Sequence, residues 1–416
     1  MTNTIGGPGG TLSEASVRDF VLDRLATADL DGRSVCVIVP DATRSCPLPM
    51  LLAAVHEALD GRATAVTVLI ALGTHAPMTE EQLARHLGGP YPGFTVRNHE
   101  WWRPEELVEI GTISADRVAE LSEGRMKQQV DVVLNRAVVE HDVCLVIGPV
   151  FPHEVVGFSG GNKYFFPGVA GQEIIDFSHW LGALITSATI IGTRGITPVR
   201  ALIDQAASLI PSRRLALCLV VASGSGELHA AAFGPPEQAW AAAADVSAET
   251  HVQYLDAPVR RVLSIIPEKY DDMWTGAKGF YKVEPIVADG GQVILYAPHI
   301  TRIAAMHPEI EQIGYHVRDY FLKQWDQFRD YHWGVLAHST HLRGAGTFDP
   351  VAGEHGRVTV TLATGIPEEV VRGANLDHLD PASVDLAAYA HDPDTFVVPQ
   401  AGEVLFRLRS PRGQDR

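Results

Sequence analysis

Three short runs of the chain carry residues able to hold an anion or move a proton. Asp41, Thr43 and Arg44 stand in Asp41-Ala42-Thr43-Arg44-Ser45-Cys46-Pro47, and His75 in Gly73-Thr74-His75-Ala76-Pro77. The third run is His153-Glu154-Val155-Val156-Gly157-Phe158-Ser159-Gly160-Gly161-Asn162-Lys163. Histidine, with an unperturbed pKa of about 6.5, suits a group that takes and returns a proton near neutrality. Gly157, Gly160 and Gly161 permit an anion-binding backbone turn, and Lys163 follows it as a phosphate-binding lysine would. It is not a Walker A loop, because Asn162 precedes the lysine and Tyr164 follows it. His179 lies too far beyond His153 for a local zinc motif.

Two later runs add polar groups. Trp274-Thr275-Gly276-Ala277-Lys278-Gly279 follows an apolar stretch, and Trp333-Gly334-Val335-Leu336-Ala337-His338-Ser339-Thr340-His341-Leu342-Arg343 packs donors closely. His341 and Arg343 can bind an anion or line an interface. Plainer readings stand beside all of these. Asp41 suits a turn or the N-cap of a helix starting near Pro49, and Arg44 and Lys278 suit solvated surface charges. His179 suits a helix cap or packing, Trp333 suits a core, and Cys46 has no assigned role.

The first three runs each follow an apolar stretch directly: VCVIVP, AVTVLIAL and CLVIGPVFP. Strand character appears at Val35–Val39, Ala65–Leu72, Val143–Ile147 and Leu215–Val221, with helical spacing at Ser16–Leu25 and Leu51–Leu59 between them. A second set comprises Val262–Ile266, Val293–Tyr296, Val358–Leu362 and Phe396–Val398, with a helical pattern over Ile310–Phe328. Such alternation predicts two α/β domains with largely parallel sheets and an active-site cleft between them. The boundary falls at Ala257–Pro258: residues 1–257 carry the motifs, 258–393 close the cleft, and 394–416 return to the first domain or fray at Ser410–Arg416. Ligands of open α/β sheets sit beyond the carboxyl ends of the strands, so three reactive runs at three strand ends converge on one crevice.

Composition narrows the function classes. The 33 Lys+Arg against 50 Asp+Glu leave a charge of −17, which repels nucleic acid and anionic membranes. A small anionic ligand then needs a locally basic pocket. No apolar run approaches the roughly 20 residues of a membrane span, and the first residues lack the pattern of a secretory signal. Cys36, Cys46, Cys144 and Cys218 form no CxxC pair, and a reducing cytoplasm is the simplest compartment. Oligomeric state leaves no mark on the composition.

With these motifs in place, the chain resembles the nickel-pincer-nucleotide-dependent lactate racemase family over most of its length. The resemblance rests on D-x-T-R-x-x-P at Asp41–Pro47, G-x-H-x-P at Gly73–Pro77 and H-x₃-G-F-S-G-G-x-K at His153–Lys163. Pro167-Gly168, His179 and Lys278 complete it. It implies that Lys163 holds a pyridinium-3-thioamide-5-thiocarboxylic acid mononucleotide covalently, with His179 as the protein ligand of its nickel. It implies His75 and His153 as alternating general acid and base, and Arg44 and Lys278 on the substrate carboxylate. Asp41, Thr43, Ser159, Gly160 and Gly161 would hold the cofactor, and Trp333 would stack on its ring.

The expected activity is therefore racemisation or epimerisation of a small 2-hydroxy acid, with cofactor maturation enzymes as partners. Where the family carries Tyr-Gln, this chain has Trp274-Thr275. That exchange, with His341 and Arg343, implies a substrate larger or more polar than lactate, such as a sugar acid, with lactate itself the alternative. Two other readings compete: a metal-dependent hydrolase using the same histidines, and a non-catalytic nucleotide-binding module. The second leaves His75, His153 and Arg44 unemployed.

Overall fold

Ser34–Pro40 (SVCVIVP) and Val143–Pro149 (VCLVIGP) are apolar at nearly every position, as strands buried on both faces must be. The computed structural model, which describes residues 3–409, places them side by side. Their sheet has seven strands: β1 (Asn3–Gly6), β2 (Ser34–Pro40), β3 (Ala65–Ala71), β4 (Phe94–Asn98), β5 (Val143–Pro149), β6 (Arg213–Val221) and β7 (Leu228–Gly234). Their spatial order is β1-β7-β6-β5-β2-β3-β4. The five from β6 to β4 are parallel, β7 pairs antiparallel with β6, and β1 at the edge pairs antiparallel with β7. From β2 the chain steps outward to β3 and β4, then returns to the other side of β2 as β5. The carboxyl ends of β2 and β5 thus flank the reversal of strand order, where open α/β sheets bind ligands.

Helices α1 (Glu14–Ala26) and α2 (Leu48–Leu59) cover one face of this sheet. Val17, Val21 and Leu25 of α1 and Leu51, Leu52 and Val55 of α2 pack on Val35, Val37 and Val39 of β2 and on Val66, Val68 and Ile70 of β3. The sheet partners recur at every second residue, as one face of a strand requires. The Ser13 hydroxyl caps α1 by accepting from the Ser16 amide. Thr79 and Gln82 close a reciprocal capping box on α3 (Glu80–Leu87). Truncating a buried leucine such as Leu52 would cost about 2–5 kcal/mol.

Further helices are α4 (Gln172–Ile185), α5 (Pro198–Ala207) and α6 (Pro236–His251). A second, wholly parallel sheet contains β8 (Val259–Ile265), β9 (Val287–Ala297), β10 (Thr359–Thr364), β11 (Asp377–His378) and β12 (Thr395–Val398), in the order β11-β10-β9-β8-β12. Helix α7 (Trp333–Arg343) precedes β10 in the chain. The expected helical stretch over 310–328 is broken into Glu309–Ile313, Arg318–Lys323 and Trp325–Phe328. Gly314, at φ 79°, ends the first piece with a left-handed residue.

Two compact units result. One holds the chain up to Phe151 with Phe158–Ile175 and Pro198–Thr250; the other holds Pro152–Gly157, Asp176–Thr197 and the chain from His251 onward. This differs from a single cut at Ala257–Pro258. Pro152–Gly157 joins the second unit because the Lys282 ammonium donates to the Pro152 carbonyl, and Gly192 N–H donates to Gly157 O at 2.9 Å. The segment after 393 also stays with the second unit, since β12 pairs with β8 from Arg261↔Thr395 onward. Residues Ser410–Arg416 lie outside the described residues. Among the described residues, no helix is long and apolar enough to cross a membrane.

Candidate active site

In the first unit, β2 ends at Pro40 and delivers Asp41 into a buried turn. One carboxylate oxygen accepts from the Thr43 amide at 3.1 Å and from its hydroxyl at 2.6 Å. The other meets His75 Nδ1 at 2.5 Å, from the loop after the adjacent strand β3. Burial by itself would raise the Asp41 pKa. The charge and hydrogen bond of His75, the Arg44 guanidinium and the Thr43 hydroxyl together outweigh it and hold the carboxyl well below the ordinary carboxylate range. Asp41 therefore stays ionised and orients His75. In the neutral ring, with Nδ1–H directed at the carboxylate, His75 Nε2 carries the lone pair. The α2 N-terminus receives no side-chain cap, so Asp41 is committed to His75 rather than to the helix.

The β5 end adds a third loop. Ser159 N–H donates to Phe151 O at 2.9 Å, Phe151 N–H donates to the Ser159 hydroxyl at 3.1 Å, and that hydroxyl donates to Pro149 O at 3.1 Å. Gly160 and Gly161 follow at φ 84° and 59°, where a side chain is strained in any case. A Cβ on Gly160 would lie 2.5 Å from Val150 Cγ2, and one on Gly161 would lie 2.8 Å from Trp240 Cβ. The turn winds into a 3₁₀ helix, Gly161–Tyr164, carrying half-buried Lys163.

A network that motif reading misses holds this turn. Arg200, 1% exposed on α5, donates to Gly160 O at 3.1 Å and Phe158 O at 2.6 Å, and lies 4.2 Å over the Trp240 ring. Asn162 donates to Asp204 and Glu237, and Arg214 joins Asn162 to Glu237. Burial lowers the Arg200 pKa to about 10, which still leaves it a cation at neutral pH. Arg200 and Trp240 lie far along the chain from the glycines, inside ordinary helical sequence, and carry no local signal.

The three loops meet. Gly73 N–H donates to Gly168 O at 3.0 Å, Arg44 lies 5.1 Å over the Phe151 ring, and the half-buried Tyr164 phenol feels the charges of Arg44 and Asp41. Asp41, Thr43, Arg44, His75 and the Ser159–Lys163 turn thus share the carboxyl edge of one sheet.

The second unit holds the other candidates. His153 is 4% exposed. Its Nδ1 accepts from the Val155 amide at 3.2 Å and lies 3.2 Å from Glu154 Oε2. This nitrogen has a donor to accept from when neutral and a carboxylate to donate to once protonated. His179 sits half-buried on α4. Asp176, one turn earlier, accepts from Gly334 N–H at 2.8 Å and meets His332 Nδ1 at 3.1 Å, which ties the start of α7 to α4. Lys278 is 5% exposed, donates to Thr275 O at 3.3 Å and lies 5.3 Å over the Tyr270 ring, so it is no surface lysine.

Other expected contacts take different partners here. The Thr275 hydroxyl bonds to Asp272 Oδ1 at 2.8 Å, within a helix cap. Trp274 is stacked between His307 and His338 at 4.2 and 3.7 Å. Trp333 donates to Arg329 O at 2.9 Å and packs near Trp325 and Phe177. Arg343 Nε lies 3.7 Å from Glu354 Oε1, a carboxylate that also binds His316.

Among the described residues, no three His, Cys, Asp or Glu side chains gather as metal ligands. The Gly160–Gly161 turn admits close approach beside the half-buried Lys163 amine, which suits a nucleotide, and the half-buried His179 imidazole of the second unit suits a metal ion.

Comparison with known proteins bears on the same residues. The lactate racemase N-terminal domain model matches residues 20–190, which includes every motif residue from Asp41 to His179. The lactate racemase of Lactiplantibacillus plantarum is 29% identical over 162 residues, 38% of this chain and 35% of that one. That of Thermoanaerobacterium thermosaccharolyticum is 29% identical over 154 residues, 35% and 32% of the two chains. The matched stretch thus spans about a third of the length of these curated relatives. A Thermotoga maritima protein solved by structural genomics superposes with TM-score 0.88 at 32% identity, covering 97% of this chain and 100% of its own. The lactate racemase apoprotein of T. thermosaccharolyticum superposes with TM-score 0.71 at 20% identity over 97% and 100%, which establishes a common fold.

Proposed function

The chain belongs to the lactate racemase family, and from that premise we propose that it racemises or epimerises a 2-hydroxy acid, using a nickel-pincer nucleotide tethered to Lys163. The observation that carries this reading is the Asp41–His75 pair at the same sheet edge as the Lys163 turn. Lys163 and the Ser159–Gly161 backbone would hold the nucleotide, and His179 would ligate its nickel. When bound, the cofactor supplies a reversible acceptor for the C2 hydrogen.

The chain's own residues do the rest. Arg44 and Lys278 bind the substrate carboxylate and keep it fixed while the planar keto acid turns its other face. His75 Nε2, left with the lone pair while Nδ1–H points at Asp41, takes the C2 hydroxyl proton of one enantiomer. His153, when charged, keeps its Nδ1–H against Glu154 and returns its Nε2 proton to form the other. Glu154 stabilises His153 when the reverse reaction charges it. Thr43 locks the Asp41 carboxylate in the orientation His75 needs.

Expression beside cofactor maturation enzymes, followed by intact-protein mass spectrometry and metal analysis, tests the assignment. Added mass on Lys163 with stoichiometric nickel is expected. Lys163→Ala should lose both adduct and activity, and His179→Ala should keep the adduct but lose nickel. An unmodified Lys163 without nickel, under conditions that mature a lactate racemase, would overturn it.

A further inference from the structure

Lysine is seldom fully buried, yet Lys282 is 1% exposed, in the second unit just after the helical turn Lys278–Tyr281. Its ammonium donates to the Pro152 carbonyl and, at 3.2 Å, to the Glu403 carbonyl. These partners lie 130 and 121 residues away along the chain, so no local motif marks the lysine. Burying a cation is costly, and a methionine side chain would fill the same space without that cost. Packing alone therefore does not account for a lysine here. What the ammonium adds is charge-assisted bonding to carbonyls on two separate segments.

Pro152 precedes His153, the candidate proton carrier. A peptide unit is planar, so the Pro152 carbonyl and the His153 nitrogen turn together. Holding that oxygen sets the direction in which the His153 side chain leaves the backbone. On the other side, Val155 N–H meets the ring at Nδ1, 3.2 Å away.

The anchor is itself held. Phe406 N–H donates to Lys282 O at 2.8 Å, and Ala401 N–H donates to Ile265 O at 3.0 Å. The Glu403 carboxylate accepts from Lys269 Nζ at 2.6 Å, and Leu405–Leu408 runs parallel to Val252–Leu255. Gly402, at φ 113°, leaves room for the buried Tyr270, since a Cβ there would lie 2.9 Å from Tyr270 Cε2. Residues 401–408 are thus built into the second unit and carry the Glu403 carbonyl to Lys282.

We infer that Lys282 is a positioning residue for His153, seated by residues 401–408. The inference rests on the proposed proton-carrying role of His153.

The test reads the ring itself. In cofactor-free protein labelled at histidine, the His153 imidazole signal, identified by its loss in His153→Gln, should shift and broaden in Lys282→Met while that of His75 stays in place. Matured protein with a verified Lys163 adduct is then assayed on whichever of lactate, malate and gluconate it inverts fastest. There Lys282→Met should lower kcat about 100-fold with little change in KM, the size expected for a misplaced reacting group. Lys282→Gln, neutral but still a donor of two N–H bonds, should fall between, and it decides the matter if the methionine variant does not fold. Lys269→Met breaks a bond to the same Glu403 without reaching Pro152, so it should lower thermal stability and leave the His153 signal and kcat as they are. An unmoved His153 signal in Lys282→Met, or an equal shift in Lys269→Met, would overturn the inference. An unchanged kcat in His153→Gln would instead overturn the proposed role of His153, whatever Lys282 does to its ring.

Discussion

The two candidate proton carriers are held by opposite means. His75, in the first unit, has its ring fixed by the ionised Asp41 carboxylate at 2.5 Å. His153, in the second, is held by the backbone N–H of Val155, with Glu154 standing by at 3.2 Å. One ring is set as a base at Nε2, the other as an acid. A reaction that must run from either enantiomer needs one of each at every moment. The second unit extends its pattern to His338 and His341, which burial rather than charge keeps neutral.

Removing either ring should have the largest effect. His75→Ala and His153→Ala should each lower kcat by about 10³-fold, within the range of general acid–base catalysis. They should differ in direction: proton removal from one enantiomer fails first in His75→Ala, and from the other in His153→Ala. Separate assays of single-enantiomer substrates, watching the hydroxyl-proton step by its solvent isotope effect, would show this. Identical behaviour from both enantiomers would break the comparison.

The carboxylates come next. Asp41→Asn should lower kcat about 100-fold with little change in KM, because the amide oxygen stays with Thr43 and the NH₂ then faces His75 Nδ1, reversing its tautomer. Glu154→Gln should cost about 10-fold or less, since Val155 N–H still holds the ring. The pH–rate profile should move in Asp41→Asn. Equal losses in the two variants would mean that both histidines depend on their carboxylates alike.

Stability against pH should show the smallest difference. His341 has its pKa lowered from 6.5 to about 4 by burial. Between those values the unfolded chain takes a proton that the folded protein refuses, so stability rises with pH across the window and drains as pH falls through it. The contribution is on the order of 3 kcal/mol. His99 in the first unit, also lowered to about 4 by burial, adds the same sign. Asp41, lowered below its ordinary 3.8, loses its contribution only as pH falls further. Denaturant unfolding of His341→Phe from pH 7 to 4 should show a flatter slope than wild type.

How much of this was legible beforehand varied with the physical origin of each feature. The parallel strands β2, β3, β5 and β6 announce themselves because burial on both faces demands unbroken apolar runs. β7 is missed: Leu228–Gly234 reads LHAAAFG, and alanine has little strand preference until a sheet edge supplies its partners. The helical pattern over 310–328 misleads because Gly314 breaks a spacing that still looks periodic. Motif residues were readable one by one, but pairing was not. Nothing between Asp41 and His75 in the chain says that they touch, and the Arg200–Gly160 bond exists only because α5 packs beneath the turn. Thr275 and Arg343 appeared as open donors in the sequence, yet Asp272 accepts from the Thr275 hydroxyl and the Glu354 carboxylate stands 3.7 Å from Arg343 Nε.

The central claim is that the histidines move only the hydroxyl proton, while the C2 hydrogen never becomes exchangeable with water. Matured protein incubated with a single enantiomer of its substrate in D₂O, followed by NMR at C2, decides it. The account predicts inverted product retaining its original hydrogen at C2. One solvent deuterium at C2 per inversion would mean that His75 or His153 abstracts that proton directly, and would contradict it.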